Sequence, residues 1–368
     1  MAHGASPYVG TSLVSRQVRE DAEALFLAPG ATQARGAGVR AREEEPDPLR
    51  TCFERDRDRI LHASAFRRLA GKTQVFVFPR DHQRTRLTHA LEVGQVATAI
   101  ARATGLNVAL TEAIAIGHDC GHGPGGHASE EAFSPYLSGG YNHATWGADV
   151  VLAPLNLCLE TLDGIRHHSW SLPSPITPEG AVVSWADRCA YCAHDLEDAA
   201  LAGIVDLGDL PPSVVELAGS SRSALLRCFI GALVECITTT GTIGMRPPFA
   251  GALADLRSFN YERIYTRPES VAQAQAVISV LRSLVDYFVA HPSSLPGGCT
   301  TDCDPSDIVR RSVTYVSGMT DRFAFEMAME LLGWRRERLP RGIDAPATAR
   351  IRPSPSPSPN FLPVTKPA

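Results

Sequence analysis

His118 and Asp119 stand side by side in the stretch AIAIGHDCGHGPGGHASEE (residues 113–131), with His122, His127 and Glu130 close behind. An imidazole next to a carboxylate offers one nitrogen and one oxygen ligand to a hard or borderline divalent ion. Apolar Ile114 and Ile116 lead in, and Gly121, Gly123, Gly125 and Gly126 follow. A helix is therefore expected to end on the pair and present it at an open terminus. Two ligands do not close a site, so the rest of the chain has to supply more.

Two other places do. His89 follows Arg86 by three residues on an expected helix, which puts both side chains on one face. His89 is placed to reach the ion, and Arg86 to reach an anion bound to it. Asp187, Tyr191 and Asp195 recur every four residues, a single stripe on a second helix, with Trp185, Cys189, Cys192 and Ala193 beside them indicating burial. Buried acids need a cationic partner. Asp187 is accordingly read as the fourth ligand, after His89, His118 and Asp119. Such a set leaves two positions of an octahedral ion for water and a substrate oxygen. The absence of a thiolate favours Mn, Mg or Fe over structural Zn. His127 and Glu130 lie at i and i+3. A carboxylate that accepts from one imidazole nitrogen raises the basicity of the other, which makes a general acid–base pair beside the ion. An ordinary surface His–Glu contact is the alternative.

The elements that must carry these residues read as helices. Arg16–Phe26 is an expected helix in an otherwise aperiodic and mobile segment, residues 1–46. Ile60, Leu61, Ala65, Phe66 and Leu69 mark an amphipathic helix beginning near Asp56. Lys72–Phe78 is a short strand or extended connection closed by Pro79. Helices are then expected over 85–104, from Asn107 or Thr111 to the His-Asp pair, and over 142–152, 157–168, 181–201, 214–239, 257–265, 271–290 and 308–332. There is no strand–helix alternation and no set of strands large enough for a sheet. The fold class is all-α, with one core over residues 47–338. Beyond Leu339 the run RPSPSPSPNF forms an extended, disordered tail, residues 339–368.

Composition excludes some functions. The chain has 368 residues, 44% of them apolar, with a net charge of −5. It therefore lacks the basic field of a nonspecific nucleic-acid binder. Apolar runs such as 224–237 are interrupted by Arg227 and Glu235, so no membrane span is expected. The start, MAHGASPYVG, lacks the pattern of an export signal. The nine cysteines fall in no metal or disulfide pattern; Cys189/Cys192 and Cys299/Cys303 are isolated pairs. A cytoplasmic location is the expectation.

These motifs resemble those of the HD-domain deoxynucleoside triphosphate (dNTP) triphosphohydrolases, the bacterial dGTPase-like proteins related to an animal dNTP-degrading enzyme. The matching segments run in family order: RDRDRILHASAFRRLAGKTQVF (55–76), RTRLTHALEVGQVA (84–97), HDCGHGPGGHASEEAF (118–133), NHATWGADV (142–150), WADRCAYCAHDLEDA (185–199), LRSFNYERIY (256–265) and YVSGMTDRFA (315–324). The resemblance implies the same four metal ligands. It implies that His127 protonates the leaving 5′-oxygen with support from Glu130, and that His122 and His143 contact the α-phosphate region. By the same resemblance Arg86 and Arg188 clamp phosphates, Tyr191 and Asp195 hold the deoxyribose, and Gln74 excludes ribonucleotides. Arg257 and Tyr265 fall where relatives hold the triphosphate and the sugar. Implied as well are a dNTP substrate, a homo-oligomer, a dNTP activator and single-stranded DNA as a weaker partner, with arginines near 55–68 and 335–341 as its patch. Relatives usually carry HDLGHTPFGHAGE in the glycine-rich segment. Here Cys120, Gly125 and Ser129 replace Leu, Phe and Gly, which removes an aromatic ring near the pocket. Two other functions stay open: an HD phosphohydrolase acting on a monophosphate or cyclic nucleotide, and a nucleotide- or DNA-binding regulator without turnover.

Overall fold

The structure is a computed structural model that describes residues 12–298 and 304–341. Residues 1–11, Cys299, Cys303 and the Pro/Ser-rich tail from 342 onward lie outside the described residues. Among the described residues there are fifteen α-helices and no sheet; the only β contacts are isolated bridges, Arg40–Cys158 and Thr73–Thr85.

In chain order the first helices are α1 (Arg16–Phe26), α2 (Cys52–His62), α3 (Ser64–Arg68), α4 (Arg86–Thr104) and α5 (Val108–Gly117). Next come α6 (Ala128–Phe133), α7 (His143–Trp146), α8 (Leu159–Arg166), α9 (Pro178–Leu201) and α10 (Pro212–Ala218). The last five are α11 (Arg222–Thr240), α12 (Pro247–Asn260), α13 (Pro268–Ala290), α14 (Pro305–Ser317) and α15 (Asp321–Leu332). Their boundaries follow local chemistry. Thr85 caps α4 through the Thr88 amide, and Gly105, in a left-handed conformation, ends it. Asn107 caps α5 through the Ala109 and Leu110 amides. Thr177 caps α9, whose first residue is Pro178.

Helices α4, α5 and α9 pack on one another, with α2 and α8 on α5 and α11 on α9. They bury one apolar cluster that includes Ile100, Leu110, Ile114, Val183 and Ala190. A second cluster gathers α13 against α6, α14 and α15 around Phe133, Leu281, Phe288 and Phe325. The glycine-rich segment between α5 and α6 joins the two.

Several elements differ from the sequence expectation. The apolar run 214–239 is two helices: Gly219 takes a φ of +76°, and Ser221 caps α11 through the Ala224 amide. By length and composition α11 would suit a membrane span; 28% of that window is buried, with Leu225, Phe229 and Leu233 packed in the first cluster. The run 308–332 is likewise divided, because Thr320 caps α15 through the Phe323 amide. Of the two readings of Lys72–Phe78, strand or connection, the connection holds. Lys72 and Thr73 spend their polar groups on distant partners, as described below. The segment over 142–152 becomes α7 followed by a π-turn, Gly147–Val151. Residues 16–46, expected to be largely mobile, are tied to the core. The Thr32 amide and hydroxyl donate to Glu179, and Arg40 pairs with the fully buried Asp56 at 2.6 Å.

Candidate metal centre and nucleotide cavity

The end of α5 sets the centre. His118 occupies its C-cap, and its Nδ1 donates to the Ala115 carbonyl at 2.6 Å. That bond fixes the tautomer and leaves a lone pair on Nε2. Nε2 lies 3.5 Å from Asp119 Oδ1 and 3.7 Å from Asp187 Oδ1, is buried, and has no hydrogen-bond partner among the described residues. From α4, His89 Nε2 approaches Asp187 Oδ1 at 3.0 Å and Asp119 Oδ2 at 3.9 Å. The four residues read as ligands from the sequence therefore converge from α4, the end of α5, and α9.

The charge states suit a cation. Burial opposes ionisation of Asp119, but His118, Arg86 and His122 together hold its carboxyl well below the usual range. Burial also opposes ionisation of Asp187, and His89, with His118 and His168, outweighs it, bringing the carboxyl down to about 2. Two ionised carboxylates, and an imidazole lone pair that nothing else satisfies, fit a divalent ion. Arg86 is 2% exposed and donates from Nη1 to Asp119 Oδ2 at 2.7 Å, while its Nε and Nη2 have no partner among the described residues. It steadies a ligand and also keeps donors free for an anion.

Around the centre the imidazoles cluster. His122 stacks on His143 with ring centroids 3.7 Å apart. Burial, with Arg86 and His143 adding to it, drives His122 well below the ordinary histidine range, so it is neutral. Gly121 is required for this assembly, because a Cβ there would stand 2.0 Å from the His143 carbonyl oxygen. His127 is exposed, with its Nδ1 3.6 Å from Glu130 Oε1. Glu130 makes its tightest contact elsewhere, to His143 Nδ1. The i, i+3 spacing brings His127 and Glu130 near each other, and α7 then adds a second imidazole that engages the same carboxylate more closely.

The centre opens into a cavity of about 830 Å³. All of the sequence-selected residues line it except His118 and Glu130, which sit behind it. Tyr265 donates to Asp195 Oδ2 at 2.5 Å, and Asp195 Oδ1 and Gln74 Oε1 are buried without partners among the described residues. Burial raises the Asp195 carboxyl to about 7 despite that bond. Arg257 Nε donates to the Tyr191 hydroxyl at 3.2 Å. Arg188 lies 3.4 Å over the Trp170 ring, which stands edge-on to Trp185. At Gly125 a Cβ would lie 2.4 Å from Val277 Cγ1, so α13 occupies the space that a larger side chain would need.

Sequence reasoning missed three contributors. His168 and Trp170 follow α8 in the motif DGIRHHSW and line the cavity. A second histidine beyond a helix end was the available signal. The third is a latch. Lys72 is buried, and its Nζ donates to the carbonyls of His122 and Ser317. Next to it, Asp321 accepts from the amides of Thr73 (3.0 Å) and Gly125 (2.9 Å). The start of α15 thereby fixes the glycine-rich segment.

Two family domains match the chain: an HD domain over residues 86–192 and a phosphohydrolase-associated domain over 243–330. A deoxyguanosinetriphosphate triphosphohydrolase-like protein of Caldanaerobacter subterraneus is 38% identical over 316 residues, covering 84% of this chain and 93% of that one. A like-named protein of Clostridium perfringens is 38% identical over 302 residues, covering 77% and 87%. The chain belongs to this HD phosphohydrolase family. In the HD phosphohydrolase, residues 86–192 hold the whole convergent set of His89, His118, Asp119 and Asp187. The associated domain contributes Arg257, Tyr265 and Val277 to the cavity wall and Asp321 to the latch.

Proposed function

We propose that the protein hydrolyses deoxynucleoside triphosphates to a deoxynucleoside and inorganic tripolyphosphate. The observation that carries this reading is the buried, tautomer-fixed Nε2 of His118 facing two carboxylates beside a cavity of nucleotide size. The names of the relatives support a purine deoxynucleotide as one substrate.

His89, His118, Asp119 and Asp187 would hold a Mn, Mg or Fe ion. When bound, such an ion would stabilise charge at a phosphoryl group and lower the pKa of a bound water toward neutrality. The protein's own residues do the rest. Arg86, with two unpaired nitrogens, and Arg188, steadied on Trp170, take up the negative charge of the triphosphate. His122 and His143 border the α-phosphate, and Glu130 keeps the proton of His143 on Nδ1. Water attacks the α-phosphorus, the bond from phosphorus to the 5′-oxygen breaks, and His127 delivers a proton to that oxygen. Its exposure at the cavity rim allows it to be reprotonated from solvent. Tyr191, Asp195 and Tyr265 hold the sugar, and Gln74 crowds the position of a 2′-hydroxyl.

The test is a panel of dNTPs and rNTPs with Mn or Mg, with products identified by phosphorus NMR. The expected result is tripolyphosphate from dNTPs and slow or absent turnover of rNTPs. Pyrophosphate with a monophosphate, or hydrolysis only of monophosphates or cyclic nucleotides, rejects the proposal.

A further inference from the structure

Helix α13 opens beside the sugar end of the cavity. Its Ser270 Oγ donates to the Ile264 carbonyl at 2.7 Å, which ties the helix start to the π-turn that carries Tyr265. From there Ser270, Gln273, Ala274 and Val277 line the cavity. Their spacing, i, i+3, i+4 and i+7, is that of one helix face. Such a face is apolar where it meets a core. This one carries a carboxamide, one turn along from Ser270.

Of these four side chains, Gln273 alone has donors to spare. The Ser270 hydroxyl proton is spent on Ile264, and Ala274 and Val277 have no polar side-chain atoms. Gln273 Oε1 accepts from the backbone amide of Arg341 at 3.0 Å. A backbone amide nitrogen only donates, so the carboxamide oxygen is the atom turned to Arg341. Arg341 follows Leu339 and Pro340, which are both buried, Leu339 in the second apolar cluster. That anchors the amide. Gln273 Nε2 makes no hydrogen bond among the described residues and keeps its two donors.

We propose that Gln273 reads the nucleobase, donating from Nε2 to O6 and N7 of a 6-oxo purine, and that the Arg341 amide sets its orientation. The inference rests on the reading of the cavity as a deoxynucleoside triphosphate site. With phosphates at Arg86 and Arg188 and the sugar at Tyr191, Asp195 and Tyr265, the base is the part left to meet α13. Guanine presents two adjacent acceptors, O6 and N7, whereas adenine presents N7 beside an amino donor that opposes an Nε2 hydrogen. A free carboxamide turns over to suit either base. One whose oxygen is held by a backbone amide loses that bond if it turns. The fixed donor therefore selects the oxo base.

The test uses the full chain with Mn and compares kcat/KM for deoxyinosine triphosphate and dATP, whose bases differ only in the oxo or amino group at position 6 and the N1 proton that goes with it. The wild type is expected to favour deoxyinosine triphosphate by ~10-fold, the worth of one good base contact. Gln273→Leu should abolish the preference, and Gln273→Glu, which offers only acceptors, should abolish or reverse it. Arg341→Pro removes the amide hydrogen and should cut the preference to ~2–3-fold, while Arg341→Ala keeps the hydrogen and the wild-type ratio. Equal use of the two nucleotides by the wild type, or an unchanged ratio in the Gln273 variants, overturns the base contact. An unchanged ratio in Arg341→Pro overturns the role of the Arg341 amide. Turnover of neither nucleotide rejects triphosphate hydrolysis itself, and the inference with it. The wild-type ratio and the two Arg341 variants decide the matter even where a Gln273 variant misfolds.

Discussion

The two ends of the cavity are built by different means. At the deep end, His89, His118 and Asp119 are almost wholly buried on α4 and the end of α5. Their rotamers are held by helix packing, and the tautomer of His118 is held by a backbone carbonyl. At the outer end, His127 is exposed, Tyr265 closes a π-turn, and Trp170 comes from an irregular loop. His127 and Tyr265 contact the side chains of Glu130 and Asp195, and Trp170 Nε1 donates to the Ser184 carbonyl at 3.2 Å. A rigid centre that fixes an ion needs little from loops. Recognition of a substrate that must enter and leave has to come from elements with fewer contacts.

Substitutions at the two ends should therefore separate ion binding from turnover. The largest effect is expected at the deep end. Asp187→Ala should release the ion and lower kcat by at least ~10⁴-fold, since several kcal/mol of charge stabilisation leave with it. Metal content and rate are measured together, and a variant that keeps full metal would remove Asp187 from the ligand set. At the rim, His127→Ala should keep the metal and lower kcat by ~10²–10³-fold, the usual worth of a general acid. Loss of metal in this variant would merge the two ends into one unit.

The latch between them gives a pH-dependent prediction. Burial pushes the Lys72 ammonium down to about 7, against ~10.4 in an unfolded chain. Between those values the unfolded chain binds the extra proton, so this group makes folding more favourable as pH rises. Below pH 7 the full cost of burying the charge is felt. Urea unfolding should then show the stability of the wild type gaining on Lys72→Met by ~2 kcal/mol between pH 7 and 9. A pH-independent difference would mean that Lys72 stays charged on its two carbonyls. The smallest effect is expected at the sugar end. Tyr265→Phe removes one hydrogen bond to Asp195, which should raise KM by ~5–10-fold with metal content unchanged. A change confined to kcat would move Tyr265 into the chemistry.

What the sequence made legible follows the same division. The helix period puts Asp187, Tyr191 and Asp195 on one stripe and Arg86 beside His89, so the parts of the centre carried on helices can be read from spacing alone. Convergence of three helices on one point cannot, and it took the His-Asp pair to suggest it. His168 was missed because the helix expected over 157–168 stops at Arg166, which leaves this residue on a loop with no periodic trace. Glu130 shows the limit of local spacing: i, i+3 relates it to His127, while tertiary packing of α7 gives it His143. The breaks at Gly219 and before Thr320 were hidden inside apolar runs, where periodicity continues across a cap. Lys72 and Thr73 looked like strand residues because β-branched and aromatic neighbours follow them. Their polar groups are instead consumed by carbonyls and a carboxylate up to 248 positions away in sequence.

The most direct test of water attack at the α-phosphorus is hydrolysis of dGTP in ¹⁸O-labelled water, with both products analysed by mass spectrometry. The label is predicted in tripolyphosphate, with none in deoxyguanosine. Label in the deoxyguanosine hydroxyl, or in a released terminal phosphate, would contradict it.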